Sequence, residues 1–205
     1  MRGVQDDTGE VQLRRARSDD ADAVARMLDE GLADKFRPAF GRRSLDAVRA
    51  FVRADIRAQP ERRIVAEAAG GIRGTASLSI SGDPPPALLG PVRREVGLTV
   101  ATRAFLVLSA LGVRRMAPGD AFIEELAVAT DARRQGIGRR LVERCEHDAR
   151  RAGCRRLCLN VTSDNSSARA LYESCGLSVS DRESWFLRRL LFGSPASLLM
   201  RKRLA

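Results

Sequence analysis

The chain has 205 residues, 44% hydrophobic and 30% charged, which fits one cored globular domain and excludes a fibrous or disordered chain. Its formal net charge of +10 would suit an anionic partner, yet lysine occurs only at Lys35 and Lys202 and the arginines scatter along the whole length. No aromatic-interleaved basic strand or zinc-knuckle spacing accompanies the charge, so nucleic-acid binding is not expected.

Residues 1–10 read as a loose tail before a single domain over 11–205, and MRGVQDDTGE contains no secretory apolar core. VQLRRA suits a strand, and Ser18 followed by acidic residues reads as the N-cap of a helix with Ala21, Val24, Ala25, Leu28 and Leu32 on one stripe. A second helix is predicted over 44–58, where Leu45, Val48, Val52 and Ile56 recur, ending before Pro60. RRIVAEAAGGIRGTASLSI then reads as a hairpin turning at Gly70-Gly71.

Pro84 to Pro86 break regular structure and open an insertion, 82–120, whose apolar part from Val96 to Leu111 predicts a buried helical lobe. Its uncharged run is about ten residues, half of the roughly 20 a bilayer requires, so membrane contact is not expected. A homodimer face stays open, since a helix apolar on most sides must be covered.

FIEELAVA, 122–129, reads as a buried strand carrying two carboxylates. A helix over 136–152 repeats Ile137, Leu141, Cys145 and Ala149 every four residues and closes at Gly153. RRLCLNV alternates as a strand, DNSSARALYESCGL forms a short helix closed by Gly176, SWFLRRLLFG suits a helix or a strand, and ASLLMRKRL suits a terminal strand. The order is that of a mixed α/β sheet. Cys145, Cys154, Cys158 and Cys175 lie in its last third. With no paired C-x-x-C spacing and His147 as the sole histidine, a reduced, cytoplasmic protein without a metal site is expected.

Between the FIEELAVA strand and the next helix stands RRQGIGRRL, Arg133 to Leu141. A strand, a glycine turn and a helix start gather unpaired amides and the positive end of the helix dipole at one point, which makes an anion site. Leu141 stands where the dinucleotide fingerprint needs a third glycine. Arg139 and Arg140 follow Gly138 where a triphosphate loop needs Lys then Ser or Thr.

Arg133-Arg134-Gln135-Gly136-Ile137-Gly138 instead resembles the R-x-x-G-x-G turn of the GNAT superfamily of N-acetyltransferases, preceded by Leu126-Ala127-Val128 at the family's distance. Asn165, Ala168, Tyr172 and Gly176 similarly match its N-x-x-A-x-x-x-Y-x-x-x-G pattern. Leu177 stands where the family usually has an aromatic, Arg134 where a small residue is commoner, and 82–120 lengthens the approach to the fourth strand.

The resemblance implies a mostly antiparallel sheet splayed between its fourth and fifth strands, flanked by helices, with acetyl-CoA in the splay. Its pyrophosphate would lie on the amides of Arg134 to Arg139, with Arg133 part of the motif. Its pantetheine arm would bond the main chain of Leu126 and Val128, beside Ala127, and Asn165 would cap the following helix and also reach that arm. The implied reaction is direct acetyl transfer to a primary amine of a small molecule or a protein. A non-catalytic acyl-CoA-binding or partner-binding module is the alternative.

An alkylammonium of pKa near 10 has no lone pair, so a carboxylate at the cleft must help remove its proton. Adjacent strand residues face opposite sides, so Glu124 and Glu125 cannot both point there; Glu124 is favoured by its position relative to Leu126 and Val128. The departing thiolate needs a donor, and Tyr172, the single tyrosine, falls at the family's acid position. The apolar insertion, Phe36, Phe40, Trp185 and Phe186 are candidates for an acceptor pocket.

Overall fold

The protein is described by a computed structural model covering residues 10–32, 44–83, 116–183 and 197–204, with a few positions between 93 and 102. Most of the apolar insertion lies outside the described residues, as do residues 1–9, Phe36, Phe40, Trp185 and Phe186.

Seven strands form one sheet: β1 (Gln12–Arg15), β2 (Arg63–Ala68), β3 (Gly71–Ile80), β4 (Asp120–Val128), β5 (Arg156–Thr162), β6 (Ser178–Glu183) and β7 (Ser197–Arg203). Their spatial order is β1-β2-β3-β4-β5-β7-β6. Only β4 and β5 run parallel; every other neighbouring pair is antiparallel. The expected mixed, mostly antiparallel fold is the observed one.

Helices α1 (Ala21–Gly31) and α2 (Ser44–Ala58) cover one face. Their stripes, Val24, Ala25 and Leu28 against Ala47, Val48, Val52 and Ile56, are buried with Val65 and Ala127 of the sheet. Helices α3 (Ile137–Arg151) and α4 (Ser166–Ser174) cover the other, where Ile137, Leu141, Cys145 and Ala149 pack on Ile64, Leu78, Ile123 and Leu159. α3 seats on β3 at Gly74, where a Cβ would come within 2.8 Å of Ile137 Cγ2 and 3.0 Å of Leu141 Cδ1.

The two-residue turn between β2 and β3 falls at Ala69-Gly70, with Gly70 and Gly71 both left-handed. Ser18 is not the cap of α1. It opens a short 3-10 turn over Ser18–Asp20, and the Asp20 carboxylate takes the Arg17 amide at 2.6 Å while pairing with Arg14 at 2.7 Å. β6 was not expected: SVSDRE has one apolar residue, Val179, and an edge strand exposed along one side needs no alternating pattern. The terminal strand falls where expected, as β7.

Candidate active site

The sheet opens at the middle of β4. Pairing with β5 runs from Asp120↔Arg156 to Ile123↔Leu159 and stops, while β4 continues to Val128 and β5 to Thr162. Past that point the described strands pair β4 only with β3, and β5 only with β7. The main chain of Leu126, Ala127 and Val128 therefore edges a notch with no strand on its β5 side among the described residues. Leu126 and Val128 pack toward the α3 layer and Ala127 toward α1 and α2, so what they offer the notch is backbone.

The RRQGIG turn follows. Thr130–Ala132 form one 3-10 turn and Arg133 is extended. Arg134 is left-handed at φ 63, the one non-glycine with positive φ among the described residues. Such a conformation costs roughly 1–2 kcal/mol, and strain of this kind gathers where a ligand is clamped. Gly136 is the left-handed N-cap of α3 at φ 80. Arg140 donates the first helical bond, to the Gly136 carbonyl at 3.1 Å. The amides of Ile137, Gly138 and Arg139 thus have no acceptor within the helix.

The two glycines answer different demands. A Cβ on Gly136 would meet nothing within 4 Å, so glycine serves its φ there; a Cβ on Gly138 would lie 2.9 Å from Leu171 Cδ2 and 3.8 Å from Val128 Cγ2. Gly138 is where α3 closes on α4. Several motif side chains are tied to protein atoms: Arg133 Nε donates to the Val128 carbonyl at 3.3 Å, Gln135 Nε2 to the Asp131 carbonyl at 3.2 Å, and Arg139 to the Ser174 Oγ at 3.0 Å. Ile137 is buried, leaving only its amide for a ligand.

The two carboxylates depart from the simple alternation expected of them. Ser77 pairs with Glu125 and Leu78 with Ile123, so Glu124 is the extra residue of a β-bulge. The bulge brings both side chains to the α1–α2 face. Glu124, with its side chain 37% exposed, accepts from Ser79 Oγ at 2.7 Å and lies 3.5 Å from Arg62. Glu125 is buried and bonds Arg63 at 2.9 Å, and Arg63 also bonds Asp55 of α2 at 2.9 Å. Burial works against the Arg63 charge, but Glu125 and Asp55 outweigh it and leave the guanidinium more firmly protonated.

Tyr172 lies in the other layer, on α4, buried in the core beside the α3 residues. Burial, then the nearby Cys145 and Cys175, push its hydroxyl up to about 12. It is a neutral donor throughout the physiological range. Asn165 caps α4, its side-chain oxygen taking the Ala168 amide at 3.0 Å. Glu124 and Tyr172 thus belong to the two sides of the sheet, and no hydrogen bond joins them among the described residues.

Arg62, Ser79, Arg63 and Asp55 are the site-flanking residues that sequence reasoning missed. A signal existed: Ser77 and Ser79 alternate with Leu78 and Ile80, placing hydroxyls on a face of the sheet that helices cover. Among the described residues no His, Cys, Asp or Glu cluster could hold a metal, and no helix is long and apolar enough to cross a membrane. The four cysteines are buried free thiols.

Known proteins share this fold. The [Ribosomal protein bS18]-alanine N-acetyltransferase of Escherichia coli strain K12 is 35% identical over 69 residues, 34% of this chain and 47% of that enzyme. The chain thus spans about half the length of the curated relatives it matches. The crystal structure of the Escherichia coli ribosomal-protein-S18-alanine N-acetyltransferase superposes with a TM-score of 0.60 at 17% identity, over 96% of this chain and 95% of that one. That of yncA from Salmonella typhimurium, solved with its cofactor acetyl-CoA, gives 0.60 at 18% identity over 95% and 94%. The profile of the acetyltransferase (GNAT) family matches residues 25–177, well over half of the 205, and the chain belongs to that family.

Proposed function

We propose that the protein is an acetyl-CoA-dependent N-acetyltransferase that moves an acetyl group directly onto a primary amine of a small molecule or a protein. The observation that carries this is the notch: β4 parts from β5 after Ile123, and the free amides at the start of α3 follow directly on its β4 wall. A free strand edge suits the amide-bearing pantetheine arm, and a helix N-terminus suits a pyrophosphate. Ile137, Gly138 and Arg139 would hold that pyrophosphate through their amides, with Arg133 and Arg134 adding charge and Gln135 and Gly136 shaping the turn. Leu126, Ala127 and Val128 would hold the arm through main-chain groups, and Asn165 would reach it from the cap of α4.

Acetyl-CoA supplies an acetyl thioester as the electrophile. On the α1–α2 side, Asp55, Glu124 and Glu125 against Arg62 and Arg63 leave one net negative charge, which attracts an ammonium. Glu124, the most exposed of the three carboxylates, takes the proton from that amine directly or through one water, since proton transfer to a positioned carboxylate needs only hydrogen-bond reach. Glu125 is already committed to Arg63. Tyr172 donates a hydrogen bond to the departing sulfur, and with its own proton held up to about 12 it does so without ionising at neutral pH.

The test is a screen of primary amines, including peptides that begin with alanine, for free-thiol release from acetyl-CoA. Acetylated product and loss of turnover in Glu124→Gln and Tyr172→Phe support the reading. Acetyl-CoA binding without turnover on any amine would favour a non-catalytic acyl-CoA-binding module.

A further inference from the structure

Glu124 is the one interior residue of β4 that has no partner in β3. A bulged residue is released from the ladder, so its side chain needs other restraints to hold one direction. Two are present. Ser79 Oγ donates to Glu124 Oε1 at 2.7 Å from the neighbouring strand. Arg62, in the 3-10 turn Pro60–Arg62 that leads into β2, reaches the same oxygen at 3.5 Å. Arg62 is 5% exposed and Glu124 37%: a buried cation faces a carboxylate that solvent and substrate can reach.

Arg62 is itself fixed, donating to Gln59 Oε1 at 2.6 Å, and its Nε has no acceptor among the described residues. The carboxylate it meets is that of Glu124. Beneath them, Arg63 on β2 crosses over Ser77 on β3, which is buried and small, to meet Glu125 on β4, with Asp55 of α2 completing the bridge. This second bridge secures the residue next to the bulge. On this face Arg62 from the turn thus meets Glu124, beside the bridge of Arg63, Glu125 and Asp55 from β2, β4 and α2.

We propose that Arg62 and Ser79 are positioning residues of the acetyl transfer, holding the bulged Glu124 carboxylate directed toward the incoming amine. This rests on Glu124 acting as proton acceptor under the proposed function. Neither residue touches the reacting atoms; both act through Glu124. A carboxylate with one oxygen engaged by Ser79 and Arg62 keeps its second oxygen for the amine or its water.

The experiment is a double-mutant cycle in the full chain, with steady-state kinetics on an amine identified by thiol release. Arg62→Met and Ser79→Ala are expected to lower kcat about tenfold, a fraction of what a positioned base contributes. The KM for acetyl-CoA should change less than about twofold, and Arg62→Lys should restore most of the loss. On a Glu124→Gln background the same substitutions should have no further effect.

Wild-type kcat in both Arg62→Met and Ser79→Ala overturns the proposal. So do losses that multiply undiminished on Glu124→Gln. Should Arg62→Met fail to fold, Ser79→Ala, which removes one oxygen from the same contact, decides alone. Wild-type turnover in Glu124→Gln refutes the base assignment itself, and with it the proposal, whereas a slow Glu124→Gln beside normal Arg62 and Ser79 variants refutes the positioning alone.

Discussion

Replacing Arg63 by methionine should be among the most damaging single changes in the chain. The guanidinium is wholly buried between the side chains of Asp55, 3% exposed, and Glu125, 5% exposed, each at 2.9 Å. Taking it away leaves two carboxylates facing each other in a dry pocket. Breaking a buried pair from one side costs about 3–5 kcal/mol, because the remaining charge is uncompensated. For a chain of this size each kcal/mol moves Tm by roughly 2–4 °C, so Tm should fall by roughly 6–20 °C. Urea unfolding at neutral pH reads the loss directly. A proton can stand in for the missing cation, so the deficit should shrink as pH is lowered from about 8 to about 5. Converting the set together, Arg63→Met with Asp55→Leu and Glu125→Met, should recover most of it, since an apolar replacement of similar volume is often neutral or stabilising. Arg63 already leaves Nη1 buried without an acceptor among the described residues, so the native bridge is not an optimum of stability. A deficit under about 1 kcal/mol in Arg63→Met, or one that does not vary with pH, would refute the reasoning.

Other outcomes follow from the notch and its helices. Acetyl-CoA at about a hundred times its Kd should stabilise the fold by about 2.7 kcal/mol, seen as a rise in melting temperature by differential scanning fluorimetry; no rise at millimolar concentration contradicts the proposed function. Gly136→Ala forces an alanine to φ 80, costing roughly 1–2 kcal/mol, and should also blunt the acetyl-CoA shift. Asn165→Ala removes the cap bond to Ala168 and should cost about 1 kcal/mol in chemical denaturation. Tyr172 is the only tyrosine, so phenolate absorbance titrates one residue: near its usual 10 when unfolded and at about 12 when folded. Its folded value is raised, so its contribution to stability is complete below pH 10 and lost as pH rises through 12; Tyr172→Phe should be the less alkali-sensitive protein over that window.

Elements with one dominant physical signal were legible in the sequence. α2 repeats Val48, Val52 and Ile56 and occupies the expected 44–58; α3 repeats Ile137, Leu141, Cys145 and Ala149 and begins one residue past the glycine that caps it. β6 was not legible because an exposed edge strand pairs through its backbone and constrains its side chains weakly. The start of α1 was misread for a related reason. Ser18 and Asp20 both suit a cap, and the choice between them is made by Arg14 on β1, which pairs with Asp20 and holds it against the Arg17 amide. A tertiary partner decided a local question.

The carboxylates show the same dependence in the place where it matters most. Two adjacent glutamates in a strand imply one on each face, and that inference holds wherever the ladder is regular. Here β3 skips Glu124, and nothing in FIEELAVA alone announces the skip; it is visible only in the pairing of Leu78 with Ile123 and Ser77 with Glu125. The consequence is chemical as well as geometric. With both carboxylates on one face, one can be buried against Arg63 as structure while its neighbour stays exposed beside Ser79 and Arg62. Regular alternation counted back from Glu125 would have sent Glu124 toward the α3 layer, on the side of Leu126, where burial in an apolar cluster would work against its charge. The bulge therefore lets one strand supply a buried strut and a solvent-facing carboxylate from consecutive residues.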